Sequence, residues 1–211
     1  MTPPHPPAPR LTRRHALLLS LLVPLAACGV EGPAPPVYPP PNYDYLTRLR
    51  LKVAKIGIDD SWVPRGEARH VEYLAPTTPR AALRTMAEQR LVPVGSTGEA
   101  RFSIEDASII RARGQYLGTL AVRLEVTDAA GDEVAQLTAR VAHTREMSGD
   151  DPEAVRADLY ALVKDMMRDM NVEFEYQIRR VMADRLEATD PTAPPPPPVQ
   201  SEELTPPGAT P

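Results

Sequence analysis

The sequence predicts an α+β domain: an antiparallel-rich four-stranded sheet, in the order strand-helix-strand-strand-strand-helix, with two helices on one face and the last helix long. Three observations predict it. The stretch "YLGTLAVRLEVTD" places Leu120, Val122, Leu124 and Val126 on one side, and "EVAQLTARVAHT" answers with Ala135, Leu137, Ala139 and Val141 across the turn "AAGD". That alternation on both sides of a turn is a β-hairpin signal. After Asp151-Pro152, apolar residues recur at steps of three and four from Val155 to Val181, the period of a helix with one buried face. Proline-rich tracts bracket the region from Tyr45 to Leu186, roughly 140 residues, which is enough for one core.

The elements follow in order. "TRLRLKVAKIGI" reads as the first strand, because Leu49, Leu51 and Val53 alternate with charged neighbours. Ile56 and Ile58 fall on the opposite parity, and a bulge near Ala54-Lys55 reconciles the two phases. "DDSWVPRGEARHVEYLAP" has turn residues and little periodicity, so it reads as a long loop. "TPRAALRTMAEQRL" reads as a helix with Thr78 as N-cap and Pro79 in the first turn, where its missing N–H costs nothing. Its apolar face is Leu83, Met86, Ala87 and Leu91. "VGSTGEA" is a turn, "ARFSIEDASII" a strand with Phe102 and Ile104 on one side, and the hairpin follows. Asp151 then caps a helix of about 30 residues, about 45 Å at 1.5 Å per residue. Such a helix is expected to overshoot a four-stranded sheet. Its C-terminal half, with Phe174, Tyr176, Ile178 and Val181, is left to cover another element or to meet a partner.

Ahead of the domain, residues 1–14 carry Arg10, Arg13 and Arg14 and no acid, and Ala16 to Ala26 form a short apolar run. The run is too short to span a bilayer, and a basic start, apolar middle and small-residue end make an export signal. Leu25-Ala26-Ala27-Cys28 resembles the bacterial lipobox. The resemblance implies cleavage before Cys28 and a diacylglycerol on its thiol, so that the mature chain starts there. Two or more acyl chains bind a membrane stably where one binds reversibly. The Arg13-Arg14 pair leaves the export route open between the general and the twin-arginine pathways. Gly29, where the resemblance would place Asp for retention in the inner membrane, leans toward the outer membrane.

The expected organisation is a signal peptide at 1–27, a lipidated Cys28 with a proline-rich stalk at 28–44, the α+β domain at 45–187, and a proline-rich disordered tail at 188–211. "EGPAPPVYPPPN" is too proline-rich for helix or sheet and reads as extended polyproline II, with Tyr38, Tyr43 and Tyr45 expected to rest on the domain or on the headgroup region. Pro194–Pro198 read as part of a solvated tail or as a ligand for an aromatic groove. Removing residues 1–27 takes away three arginines, so the 24 basic and 28 acidic residues become 21 and 28, a formal charge of −7. An acidic chain is a poor nucleic-acid binder, so nucleic acid is not an expected partner. Cys28 is the single cysteine, so no intrachain disulfide supports the fold.

The layout of domain, stalk and lipobox resembles the auxiliary lipoproteins of systems that move lipids to or from the outer membrane. "ARFSIEDASII" and the hairpin after it also resemble uncharacterised envelope lipoproteins of alphaproteobacteria. Neither resemblance implies a catalytic residue. His70 beside Glu67 and Glu72, and His143 near Glu146, lack the spacing of a known metal site. "VGSTG" is not a nucleophile elbow, because its order is Gly-Ser-Thr-Gly. Asp150-Asp151 is explained by helix capping, and Asp59-Asp60 sits at a strand end. Met167 and Met170 are soft ligands for Cu(I) in principle and ordinary core filler otherwise. No catalytic residue, metal site or cofactor is therefore expected, and the chain is not read as an enzyme. The expected function is a membrane-anchored periplasmic lipoprotein, with its lipid on Cys28, serving as a non-catalytic adaptor or accessory subunit of an envelope assembly or transport complex. Trp62, Phe174, Tyr176, Ile178 and Val181 are the candidate contacts for its protein partner, with Trp62 alternatively closing one end of the core. The second reading is a carrier holding a lipid or other apolar ligand between helix and sheet.

Overall fold

The computed structural model describes residues 36–66 and 69–187. Cys28, the lipobox, Glu67 and the C-terminal proline tract lie outside the described residues. The compact unit that holds the domain begins at Tyr38. Its elements are β1 (Leu49–Leu51), β2 (Lys55–Asp59), a 3-10 turn (Glu72–Leu74), α1 (Pro79–Arg90), β3 (Leu91–Pro93), β4 (Glu99–Ala112), β5 (Gln115–Thr127), β6 (Glu133–Glu146), α2 (Pro152–Val181) and a second 3-10 turn (Ala183–Arg185). The fold is α+β: a four-stranded sheet in the order β2-β4-β5-β6, with β2 parallel to β4 and the other pairs antiparallel. Both helices contribute to the single buried cluster on one side of it.

The hairpin β5–β6 pairs Leu120 with Val141, Val122 with Ala139, Leu124 with Leu137 and Val126 with Ala135. Its turn is closed by Asp128, whose carboxylate accepts from the N–H groups of Ala130 at 2.8 Å and Asp132 at 3.1 Å. β4 and β5 are joined by a two-residue turn at Arg113-Gly114, both with positive φ, the geometry that matches the twist of paired strands. In β4 the register shifts between Ile104 and Asp106. The extra residue, Glu105, moves the buried parity from Ala100, Phe102 and Ile104 to Ala107 and Ile109, so the apolar face stays inward.

The expected single first strand is two strands in two sheets. The phase change predicted near Ala54-Lys55 occurs at Lys52–Ala54, and the interruption is complete. β1 pairs in parallel with β3, and β2 with β4. The chain between β3 and β4 closes over the break: Gly95 N–H donates to Val53 O at 2.9 Å, and Ala54 N–H reaches Thr97 O at 3.1 Å and Gly98 O at 3.0 Å. A Cβ on Gly95 would sit 2.5 Å from the Lys52 carbonyl carbon and 2.6 Å from Val53 N. These are backbone atoms, held on both sides by β-pairing. Gly95→Ala is therefore expected to cost about 1–3 kcal/mol, the range for overpacking, read as a fall in the midpoint of urea unfolding. A change below about 0.5 kcal/mol, the ordinary surface range, would show that the two breaks do not lean on each other.

The helices start as their caps dictate. Thr78 Oγ1 accepts from Ala81 N–H at 3.2 Å, and Asp151 Oδ1 from Glu153 and Ala154 N–H at 3.2 and 3.0 Å. α2 runs 30 residues and does not overshoot its cover. Its buried stripe continues through Phe174 and Ile178 to Met182, where α1 and Phe102 of β4 pack against it. The region read as a loop between β2 and α1 also carries structure. Val71 N–H donates to Ile109 O and Arg111 N–H to Arg69 O, so this segment borders the edge of β4 beyond the reach of β2.

Candidate interaction surface

The expected stalk segment is partly a strap on the domain. Residues from Tyr38 onward lie against α2. The Tyr38 ring is 5.0 Å from Tyr160, Arg156 stands 5.6 Å from its centroid, and its hydroxyl donates to Glu153. Tyr160 in turn donates to Pro39 O at 3.3 Å. Tyr43 is buried, and its N–H donates to Gln89 Oε1 of α1 at 2.6 Å. Burial pushes its phenol up, so it stays neutral.

Between this strap and α2 runs an open groove of about 610 Å³. Pro39–Pro41, Tyr43 and Tyr45 form one wall, and Tyr160, Val163, Lys164, Met167 and Val172 the other. Arg90 and Asn171 lie at its floor. Arg90 is only 1% exposed. Its guanidinium donates to Asn171 Oδ1 at 2.9 Å, to Asn171 O at 3.2 Å, to Thr47 O at 3.3 and 3.4 Å, and to Glu175. One cation thus ties α1, α2 and the chain leading into β1. Burial alone would raise the Glu175 carboxyl, but hydrogen bonds from Arg179 and Arg90 outweigh it and hold the group below its ordinary value. Beside the groove three large apolar side chains are exposed: Tyr45 at 79%, Val172 at 68% and Tyr176 at 55%.

The five predicted contacts separate. Tyr176 and Val181 are exposed. Phe174 and Ile178 are fully buried and cannot meet a partner, because they lie on the stripe that faces the sheet. Phe174 packs edge-on against Phe102 with ring centroids 5.7 Å apart. Trp62 is half-buried and packs against the core, as its alternative reading has it. Val172 is not among the predicted contacts, and Tyr45 is predicted only to rest on the domain or the headgroup region. The helical spacing of Val172 and Tyr176, four residues apart on the face opposite Phe174, was the available signal.

Several other polar groups are engaged in structure. Asp60 pairs with Arg84 at 2.9 Å. Asp59 accepts from Ser61 N–H at 3.1 Å, and the bonds from Ser61 hold its carboxyl below the usual range. His143 faces Asp169 at 2.8 Å. His70 Nε2 lies 3.2 Å from Arg65 O. Asp158 accepts from the N–H and hydroxyl of Ser148 at 2.7 and 2.8 Å and from Arg145 at 3.2 Å. Met167 and Met170 are buried in the core. Among the described residues no three His, Cys, Asp or Glu side chains converge as a metal site would require. α2 and the sheet share one cluster of buried side chains, and the groove lies between α2 and the strap.

No protein-family model and no curated protein matches the chain. Solved structures to which it is similar include a Xanthomonas campestris protein of the DUF330 family, at 13% identity and a TM-score of 0.36 over 68% of this chain and 91% of that one. Another is uncharacterised lipoprotein B from Nitrosomonas europaea, at 17% identity and a TM-score of 0.35 over 62% and 86%. A third is a minor lipoprotein from Acinetobacter baumannii, at 14% identity and a TM-score of 0.33 over 67% and 99%. The chain is thus similar, at a distance, to solved structures that include bacterial lipoproteins.

Proposed function

We propose that the chain is exported, cut before Cys28 and lipidated there, and that its domain is a non-catalytic adaptor or accessory subunit of an envelope assembly or transport complex. The observation that carries the docking surface is the exposed trio Tyr45, Val172 and Tyr176 beside the groove. Large aromatic and aliphatic side chains left in water on one face are the composition of an interface centre. The anchor is carried by the lipobox resemblance, and Gly29 favours the outer membrane.

The test is a crosslinked pull-down from native envelopes. Wild type is compared with Cys28→Ser behind a cleavable signal, so that both reach the periplasm, and with Tyr176→Ser. One reproducible membrane partner is expected. It is weakened without the lipid and reduced several-fold by Tyr176→Ser, while the unfolding midpoint of Tyr176→Ser moves by no more than an exposed substitution moves it, about 0.5 kcal/mol. A strictly monomeric domain with no partner in either form overturns the adaptor reading.

A further inference from the structure

The groove between the strap and α2 has the chemistry of a polyproline seat, and the chain carries a polyproline segment outside the described residues. We propose that Pro194–Pro198 and the residues just after them lie along this groove, antiparallel to α2, with Glu202 and Glu203 emerging at its basic end. This does not depend on the adaptor reading.

Four observations converge. The first is composition. Proline has no N–H, so a proline run needs apolar and aromatic walls with few acceptors. The walls here are Tyr45, Tyr160, Val163, Met167 and Val172. The second is precedent within the molecule: the same face of α2 already receives a proline segment, with Tyr160 donating to Pro39 O. The third is length. From Glu175 to Tyr160 the helix wall runs about 22 Å at 1.5 Å per residue. Residues 194–200 in polyproline II cover about 22 Å at 3.1 Å per residue.

The fourth is where the described chain ends and how the charges run. Glu187 N–H donates to Arg50 O at 2.8 Å, and its carboxylate pairs with the Arg50 guanidinium. Arg50 lies three residues from Thr47, roughly 10 Å along an extended chain. Thr47 O and Glu175 share the Arg90 guanidinium. The tail therefore starts near the Glu175 end of the groove, and residues 188–193 span about 20 Å extended, which is enough to enter it. Running from there, the proline stretch passes Val172 and Met167, and the acids that follow come out toward Lys164 and Arg156, away from Glu175. Seated this way, the tail covers Tyr45 and Val172 and competes with any partner for that rim.

The test uses the mature chain, Cys28→Ser to keep it in solution, with ¹³C-labelled valine and methionine methyl groups followed by NMR. It is compared with the same chain carrying serine at 194–198, and with Glu202→Gln plus Glu203→Gln. The serine chain is expected to shift the methyl signals of Val163, Met167 and Val172 while leaving those of Val122 and Val126 in the sheet unmoved. A synthetic peptide of residues 191–204, added in excess, is expected to return them to their original positions. Its affinity is expected to fall about threefold or more for the Gln-Gln peptide at low salt and to converge with it at high salt. Identical groove signals in the wild-type and serine chains overturn the proposal. So do groove signals that move with protein concentration alone, which would assign the groove to a second copy. Either result leaves the pull-down expectation standing on its own.

Discussion

Replacing Arg90 with alanine is expected to destabilise the domain by about 3–5 kcal/mol, the cost of breaking a buried ionic network by removing one partner. The domain's whole stability is of the order of 5–15 kcal/mol, so this single change should bring it close to unfolding at ordinary temperature. The reason lies in the count of donors. A guanidinium carries five N–H groups, and Arg90 makes five contacts, to Thr47 O twice, to Asn171 twice and to Glu175. Alanine leaves the Asn171 and Thr47 oxygens without this donor, while Glu175, 31% exposed, keeps only Arg179. Arg90→Lys should recover only a minor part, because a compact ammonium cannot reach acceptors on three separate segments at once. The measurement is urea unfolding of wild type, Arg90→Ala and Arg90→Lys. A loss under about 1 kcal/mol for alanine, within the usual worth of a single hydrogen bond, would show that the network is replaceable by packing.

The same network makes a pH prediction with a definite sign. Glu175 is held below the ordinary carboxylate range, and so is Asp158, where bonds from Ser148 and Arg145 outweigh burial. A carboxylate whose pKa is lowered by folding contributes its stabilisation in full above its unfolded value, near pH 4. That contribution is lost as the pH falls through the lowered folded value. Stability should therefore fall below about pH 4. Arg90→Ala should flatten that fall, because Glu175 then keeps only Arg179 to depress it.

How much of this was legible in the sequence follows from the range of each interaction. The pairing of Leu124 with Leu137 and of Val126 with Ala135 was readable because a short turn fixes the register of an antiparallel hairpin. The caps at Thr78 and Asp151 were readable because they act within three residues. Glu105 was not read as a bulge, although the parity change from Ile104 to Ala107 resembles the one detected at Ala54. Partners far apart in sequence left no local mark. Nothing around Lys55 says that it lies beside Glu99 in a parallel pair. Arg90 stands in the last turn of α1 with no local sign of burial, because the partners that bury it, Asn171 and Glu175, lie some eighty residues later. The strap is legible only as one of two alternatives: the tyrosines of "VYPPPNYDY" suit the domain surface or the headgroup region equally until Tyr160 and Glu153 are placed beside Tyr38.

Phe174→Ala is expected to cost about 3–5 kcal/mol, while Tyr176→Ser, two residues on, stays within about 0.5 kcal/mol. The two residues differ by 200° around the helix at 100° per residue, so one points into the sheet and the other into water. Phe174 is fully buried and meets the edge of Phe102, an arrangement that adds to its area burial. The cost should sit at the high end of its range if the site cannot collapse, since Met170, Ile178 and Met182 around it are already buried. Phe174→Leu, which keeps most of the volume, should lose under about 1.5 kcal/mol. Thermal unfolding of the three variants settles the orientation of the C-terminal half of α2. Equal, small effects at 174 and 176 would mean that this half of the helix stands free of the domain and offers both side chains to a partner. A large effect confined to Phe174 leaves Tyr176, with Val172 and Tyr45, as the aromatic and aliphatic surface available for docking, and makes Tyr176→Ser the variant whose loss of binding can be read without a loss of fold.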